Sequence, residues 1–151
     1  MVSRYTRIRS LVDIPLHGVK EGDLGGWIEG EKNISTTGDA WVFDIARVYG
    51  NACVSDNARV YDDAHVYGYA LVYGNARVSG NARVSGKALV YGNDCVSGDA
   101  YVYGKARVYD NASVYDDARV SGYAHVYGDA EVYLTTRARF WSIKGLPSLT
   151  A

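Results

Sequence analysis

The chain has 151 residues and a formal net charge of −1, from 16 basic and 17 acidic side chains. This balance gives no overall field that would attract nucleic acid. No stretch approaches the roughly 20 apolar residues of a membrane span, and the N-terminus lacks the apolar core of a signal peptide. The two cysteines, Cys53 and Cys95, are too few for a disulfide framework or a zinc knuckle, which favours reduced thiols in the cytoplasm.

Residues 1–39 differ from the rest of the chain, and we predict that they form an N-terminal β cap. Apolar and polar side chains alternate over residues 5–14, a pattern typical of a half-buried strand. A glycine-rich turn follows, with Leu24 and Trp27. We expect these two side chains to lie over the first coil, because an open solenoid end exposes backbone and core.

Residues 40–133 repeat with a period of six. The 16 valines from Val42 to Val132 are evenly spaced, and alanine stands two residues before each of them except at Asp94. Side chains two residues apart share one face of a strand, and the Gly, Asn or Asp after each valine favours a corner. Three such units would close an 18-residue coil, and successive coils would stack about 4.8 Å apart. The period therefore predicts an all-β, triangular solenoid in a single domain.

The segments at the two ends of this repeat follow its period less closely. Ile34 and Thr36 extrapolate to inward positions, so we expect the first coil to begin near residue 33. Residues 134–151 lose the period, and we predict a C-terminal cap and tail, with Phe140 and Trp141 available to close the last coil.

The Ala-x-Val hexapeptide resembles that of left-handed parallel β-helix proteins. The segment Gly-Asp-Leu-Gly-Gly-Trp-Ile-Glu, leading into Gly-Asn-Ala-Arg-Val units, is also similar to small phage and prophage proteins of the YdcK-like type. The resemblance implies a left-handed parallel β-helix, trimeric or dimeric association, and action inside a bacterial host cell. It implies no reaction and no cofactor.

Residues eighteen apart should stack, so the repeat predicts the composition of each face. We define the basic face by the outward residues before five valines, and we expect it to bind a partner; these residues are Arg47, His65, Arg83, Tyr101 and Arg119. Lys87 and Lys105 fall at the corner that follows it. Arginine and tyrosine together could hold an acidic protein or a nucleic acid backbone, although arginine stems also serve simply to cover strands.

An acidic corner precedes the basic face, with Asp62, Asp63, Asp99, Asp116 and Asp117. Its spacing matches no known calcium loop, so we expect solvated carboxylates and no metal site. The leucine–tyrosine face is defined by Leu71, Leu89, Tyr73, Tyr91 and Tyr109. Apolar side chains beside a tyrosine ladder favour a contact between subunits, so a homo-oligomer is expected.

Enzymes with hexapeptide repeats are commonly acyltransferases, whose sites use a histidine base and loops that interrupt the coils. Here the repeat is uninterrupted, and His65 and His125 are predicted at open outward positions. We therefore expect no catalytic residues and no cofactor. A non-catalytic binding module is the preferred interpretation, such as a phage inhibitor of a bacterial defence protein. An acyltransferase of small molecules and a virion structural component are the alternatives.

Asp94 is the one departure from the alanine column. The carboxylate could bond backbone amides at its corner, which would be a structural role. Alternatively, it could be a buried carboxylate with a functional proton or ion.

Overall fold

The computed structural model describes residues 4–133, together with the backbone of residues 137–138 and 142–144. The predicted closure by Phe140 and Trp141 lies outside the described residues. The N-terminal part combines three strands with two short 3₁₀ helices, in the order β1 (Thr6–Arg9), a 3₁₀ helix (Pro15–His17), β2 (Leu24–Ile28), a 3₁₀ helix (Glu31–Asn33) and β3 (Ile34–Gly38). No helix in this described part is long and apolar enough to cross a membrane.

Short strands recur at intervals of six residues from Trp41 onwards. They are β4 (Trp41–Val42), β5 (Arg47–Val48), β6 (Cys53–Asp56), β7 (Arg59–Val60), β8 (His65–Val66), β9 (Leu71–Val72), β10 (Arg77–Val78), β11 (Arg83–Val84), β12 (Leu89–Val90), β13 (Cys95–Val96), β14 (Tyr101–Val102), β15 (Arg107–Val108), β16 (Ser113–Val114), β17 (Arg119–Val120), β18 (His125–Tyr127), β19 (Glu131–Val132), β20 (Arg137–Ala138) and β21 (Ser142–Lys144). Each strand is brief because the next corner residue follows two positions after each valine.

Every third strand joins the same sheet, which gives the solenoid three flat sides. The sheets run β1-β2-β5-β8-β11-β14-β17-β20, β4-β7-β10-β13-β16-β19 and β3-β6-β9-β12-β15-β18-β21. From β4 to β20, parallel partners lie eighteen residues apart, as in Val84 with Val102 and Val90 with Val108. The predicted all-β parallel solenoid of 18 residues per coil is thus confirmed, with about six coils. Its left-handedness stays a prediction.

The interior consists of the valine and alanine columns. Every valine from Val42 to Val132 is 0 % exposed, and so is every alanine of the column from Ala46 to Ala130. Burying one valine contributes roughly 1.5–3 kcal/mol, so the stacked valines supply the main stabilising term. Alanine alternates with valine in this core, and the chain turns just before each alanine.

The corners repeat a left-handed residue, which is glycine or aspartate. At Gly86, whose φ is 65°, an added Cβ would lie 2.8 Å from the amide nitrogen of Gly104 in the next coil. Asp62 adopts the same conformation with φ 58°, and its carboxylate accepts a hydrogen bond from the N–H of Gly80 at 3.0 Å. Aspartate therefore offsets its backbone strain with an axial hydrogen bond that glycine cannot make.

The first coil is longer than the others. Ile28 pairs with Val48 and Ile34 with Val54, both twenty residues on, whereas Trp41 pairs with Arg59, eighteen residues on. The register shifts between Ile34 and Gly38, so two extra residues bulge there. The predicted inward position is confirmed for Ile34, which packs against the core in line with the valine column, and is wrong for Thr36, which is exposed. Parallel pairing between coils starts before residue 33, with Ile28.

The glycine-rich turn behaves differently from our expectation. Leu24 is 49 % exposed, and Trp27 points outward, where the Arg7 guanidinium lies 5.9 Å from its ring. Gly25 and Gly26 instead approach the first coil, and a Cβ on Gly25 would collide with the carbonyl oxygen of Val42. That residues 1–39 act as a cap stays a prediction.

Candidate functional site

The outward residues predicted for the basic face lie in one sheet. Arg83 pairs with His65 on one side and with Tyr101 on the other, and the same column continues to Arg47 and Arg119. The register thus brings together all five residues that the sequence analysis assigned to this face. The alanine before and the valine after each of them are buried in the core.

The arginines of this face carry charge that the described part of the chain leaves uncompensated. Arg47, Arg83 and Arg119 are exposed, and among the described residues no carboxylate forms an ion pair with any of them. The Arg47 guanidinium lies 5.7 Å from the ring of Tyr5, a cation–π contact that leaves its charge in place. The face therefore presents three guanidinium groups to solvent.

Tyrosine side chains lie between these arginines and hold one another in place through hydrogen bonds and ring stacking. The hydroxyl of Tyr101 lies 3.0 Å from that of Tyr67 and accepts a hydrogen bond from the Ser85 hydroxyl at 3.1 Å. The rings of Tyr49 and Tyr67 stack with centroids 5.0 Å apart. Burial raises the pKa of Tyr67, and the contact with Tyr101 acts in the same direction. Tyr67 therefore stays neutral, and the rings of Tyr49, Tyr67 and Tyr101 form a fixed aromatic surface.

His65 has neighbours that the sequence analysis missed. Its Nε2 lies 3.7 Å from a carboxylate oxygen of Asp63, and the ring of Tyr49 meets it edge-on at 6.1 Å. Burial lowers the pKa of His65, while the Asp63 carboxylate opposes that shift. The sequence places Asp63 and His65 close along the chain, with one alanine between them. It does not show that the path of the corner brings their side chains into contact.

The lysines at the following corner are both exposed. The ammonium of Lys105 donates to the hydroxyl of Tyr123 at 3.4 Å and lies 5.2 Å from its ring centre. Lys87 occupies the equivalent corner one coil earlier. Both lysines extend the positive surface beyond the edge of the sheet.

Some of the aspartates at the acidic corner have a structural role. Asp62 and Asp116 have positive φ and occupy the left-handed corner position. Asp99 accepts a hydrogen bond from the Asn81 amide at 3.1 Å. Asp63 and Asp117 are exposed beside them. These carboxylates line one long side of the basic face.

The leucine–tyrosine face also forms as the register predicts. Leu89 pairs directly with Leu71, which is 40 % exposed. The Tyr73 and Tyr91 rings stack at 4.8 Å, and the Tyr91 and Tyr109 rings at 5.2 Å. Because the rings cover one another, they show solvent mainly their edges and hydroxyl groups.

Comparison with known proteins agrees with this architecture. The model of the family described as YdcK β-solenoid repeat matches residues 53–68, 70–86, 76–92, 106–122 and 112–128. The chain is a repeat β-helix protein. No curated protein sequence matches it.

Asp94 is the one ionisable side chain in the described core of this repeat β-helix protein. It is 0 % exposed, and within the described part neither carboxylate oxygen has a hydrogen-bond partner of normal geometry. Burial raises the pKa of Asp94 to about 8, and the nearby Asp110 carboxylate adds to the shift. The preceding corner is distorted, with φ 95° at Gly92 against 65° at Gly86. This distortion lies next to the one position in the column that is not alanine.

Asn33 is a buried polar residue that the sequence analysis did not single out. Its amide donates to the carbonyls of Gly50 and Ala52, and its oxygen accepts from the N–H groups of Glu29 and Gly30. With these bonds made, its burial is structural and fastens the irregular first coil to the second. A lone asparagine outside the repeat gave no signal of this.

Because the pKa of Asp94 is raised to about 8 from 3.8, we expect its ionisation to oppose folding. In the unfolded chain Asp94 loses its proton near the lower pKa, whereas in the folded chain it keeps the proton until the pH reaches the higher pKa. Stability relative to an Asp94→Asn variant should therefore be greatest below the unfolded value and should fall by up to about 1.4 kcal/mol per pH unit before levelling off near pH 8.

Urea unfolding of both proteins at pH 5 and pH 8, followed by circular dichroism, measures this difference. Asp117→Asn is the matched control, since Asp117 is exposed and is not among the groups that shift the pKa of Asp94. If the free energies of unfolding of the wild type and Asp94→Asn change equally between pH 5 and pH 8, the pKa of Asp94 is not raised by burial in the folded protein.

Proposed function

We propose that this repeat β-helix protein is a non-catalytic binding module of phage or prophage type. In this proposal its basic face docks on an acidic surface of a bacterial host protein in the host cytoplasm. A component of bacterial defence is our example of such a target. The family match supports a repeat β-helix protein, and the proposal of a phage role rests on the resemblance together with the charge on this face.

The observation that carries the proposal is the row of three exposed arginines without ion-pair partners in the described part of the chain. Arg47, Arg83 and Arg119 stand two coils apart, or about 9.6 Å at the usual strand spacing. The valines next to these arginines are fully buried, so the backbone of this sheet is already ordered. Binding would therefore cost little backbone entropy. Preorganisation of this kind reduces the entropic cost of association.

The surroundings of the basic face favour a protein over a nucleic acid. Asp63 and Asp117 are exposed along one edge of it. A polyphosphate backbone lying across the sheet would meet these carboxylates and be repelled. A protein surface of mixed charge can place acidic groups over the arginines and basic groups over the aspartates.

The leucine–tyrosine face is our proposed contact between subunits. Leu71 and Leu89 are adjacent apolar side chains, and the neighbouring column of stacked tyrosines offers a flat surface. A dimer or trimer that buries this face leaves the basic face of each subunit outward, because the two faces belong to different sheets.

Arg83→Glu tests the docking surface, with Arg77→Glu as its matched control. Both arginines are exposed, both precede a buried valine, and they lie on different sheets. Reversal of one charge in an interface costs about 2–5 kcal/mol, so Arg83→Glu should weaken capture of the partner by roughly 30-fold or more. Affinity capture from bacterial lysate with quantitative mass spectrometry identifies the partner, and titration of that partner measures the loss.

Two results would contradict the proposal: an equal loss in both variants, which would indicate non-specific charge attraction, or a partner retained fully by Arg83→Glu. Unfolding midpoints of the two variants should agree, because neither side chain is in the core.

The subunit contact is tested by light scattering of the wild type and a Leu71→Ser/Leu89→Ser variant. We expect the wild type to form a multiple of its 16.5 kDa chain mass and the variant to shift to the monomer. A Leu24→Ser/Ile45→Ser variant changes two exposed apolar residues elsewhere and should associate normally. A wild-type monomer at high concentration would rule out this contact.

A further inference from the structure

A small cavity lies where the N-terminal segment meets the six-stranded sheet, on a different side of the prism from the basic face. Its volume is about 200 Å³, and it is lined by His17, Phe43, Asp44, Arg59 and Tyr61. The segment is held there by Ile14 and Val19, which pack on Trp41. The cavity therefore has one wall from the irregular N-terminus and one from the regular coils.

Aromatic rings form its apolar surface. Phe43 and Tyr61 belong to successive coils and meet edge-to-face with centroids 6.4 Å apart. His17 meets the other side of Phe43 at 6.2 Å, also edge-to-face. A cavity of about 150 Å³ with apolar walls is enough to hold benzene, so this one is large enough for a compact six-membered ring.

The polar group beside this aromatic surface is the guanidinium of Arg59. Arg59 is half-buried, and no carboxylate of the described residues forms an ion pair with it. Both ring nitrogens of His17 are shielded from solvent, so a ligand that enters the cavity meets other atoms of this residue. Burial lowers the pKa of His17, with Arg59 adding to the effect, while contacts with the backbone of Asp39 and Leu16 oppose it.

Asp44 limits what such a site would accept. Its carboxylate accepts a hydrogen bond from the N–H of Asp62 at 3.2 Å and lies at the edge of the cavity. A dianion would be repelled by Asp44, whereas a single carboxylate can approach Arg59 from the aromatic side.

We propose that this cavity binds a small monocarboxylate with a compact apolar body. The carboxylate pairs with the planar guanidinium of Arg59, which offers two parallel N–H donors. The apolar body lies against Phe43 and Tyr61, beside the ring of His17. The site is independent of the docking proposed for the basic face.

Benzoate is the probe, and titration followed by the NMR signals of His17 and of the tyrosine rings is the measurement. We expect saturable shifts for benzoate and at least tenfold weaker binding for Arg59→Gln. Arg77→Gln is the matched control, since Arg77 stands directly next to Arg59 in the same column but does not line the cavity. It should bind benzoate as the wild type does.

Benzamide, which has the same shape without the charge, and phthalate, which carries two carboxylates, should both bind at least tenfold more weakly than benzoate. The proposal is overturned if benzoate gives no saturable shift, if Arg59→Gln and Arg77→Gln weaken binding equally, or if benzamide or phthalate binds as tightly. The thermal midpoint of Arg59→Gln is measured first, and Arg59→Lys provides a second variant that keeps the charge and loses the paired donors.

Discussion

The stacking of each coil on the next at eighteen residues is the constraint on which the structure depends. Val78 meets Val60 below and Val96 above, and each valine is sealed from water by the same arrangement. Because side chains alternate along a strand, a shift of one residue would turn an arginine inward and a valine outward. The regular corners hold this register, with glycine or aspartate in the left-handed conformation at each of them. Because this register depends on the inward residues and the corners, the residue types in the outward columns can vary without disturbing the core.

The outward columns differ among the three sides of the prism. One side carries exposed arginines between fixed tyrosines, another carries the paired leucines and the stacked tyrosine ladder, and the third meets the N-terminal segment. Asp94 is the exception inside the prism, where burial favours a neutral carboxyl and the neighbouring Gly92 has a φ of 95°. Docking, subunit contact and small-ligand binding are thus proposed for separate surfaces, so a change on one side can leave the others intact.

The regular part of the fold and the composition of its faces were predictable from sequence because they follow from one period. Arg47, His65 and Arg83 could be placed side by side by counting eighteen residues. The two-residue insertion after Ile34 could not, since nothing outside the repeat fixes its register. The contacts of Asn33 and the cavity beside Arg59 depend on how an irregular segment packs, and the approach of Asp63 to His65 depends on the path of a corner. These are tertiary features that a periodic pattern does not encode.

The central claim is that residues eighteen apart are neighbours on one face, whereas residues six apart lie on different faces. A pair of cysteines at Ser79 and Ser97, with Cys53 and Cys95 replaced by serine, tests it directly. The two positions adjoin the paired Val78 and Val96, and the roughly 4.8 Å between neighbouring strands falls within the Cα separation that a disulfide requires. The account predicts that this pair forms an intramolecular disulfide under mild oxidation, measured by mass spectrometry, while a pair at Ser79 and Ser85 stays reduced. Oxidation of the second pair in preference to the first would contradict it.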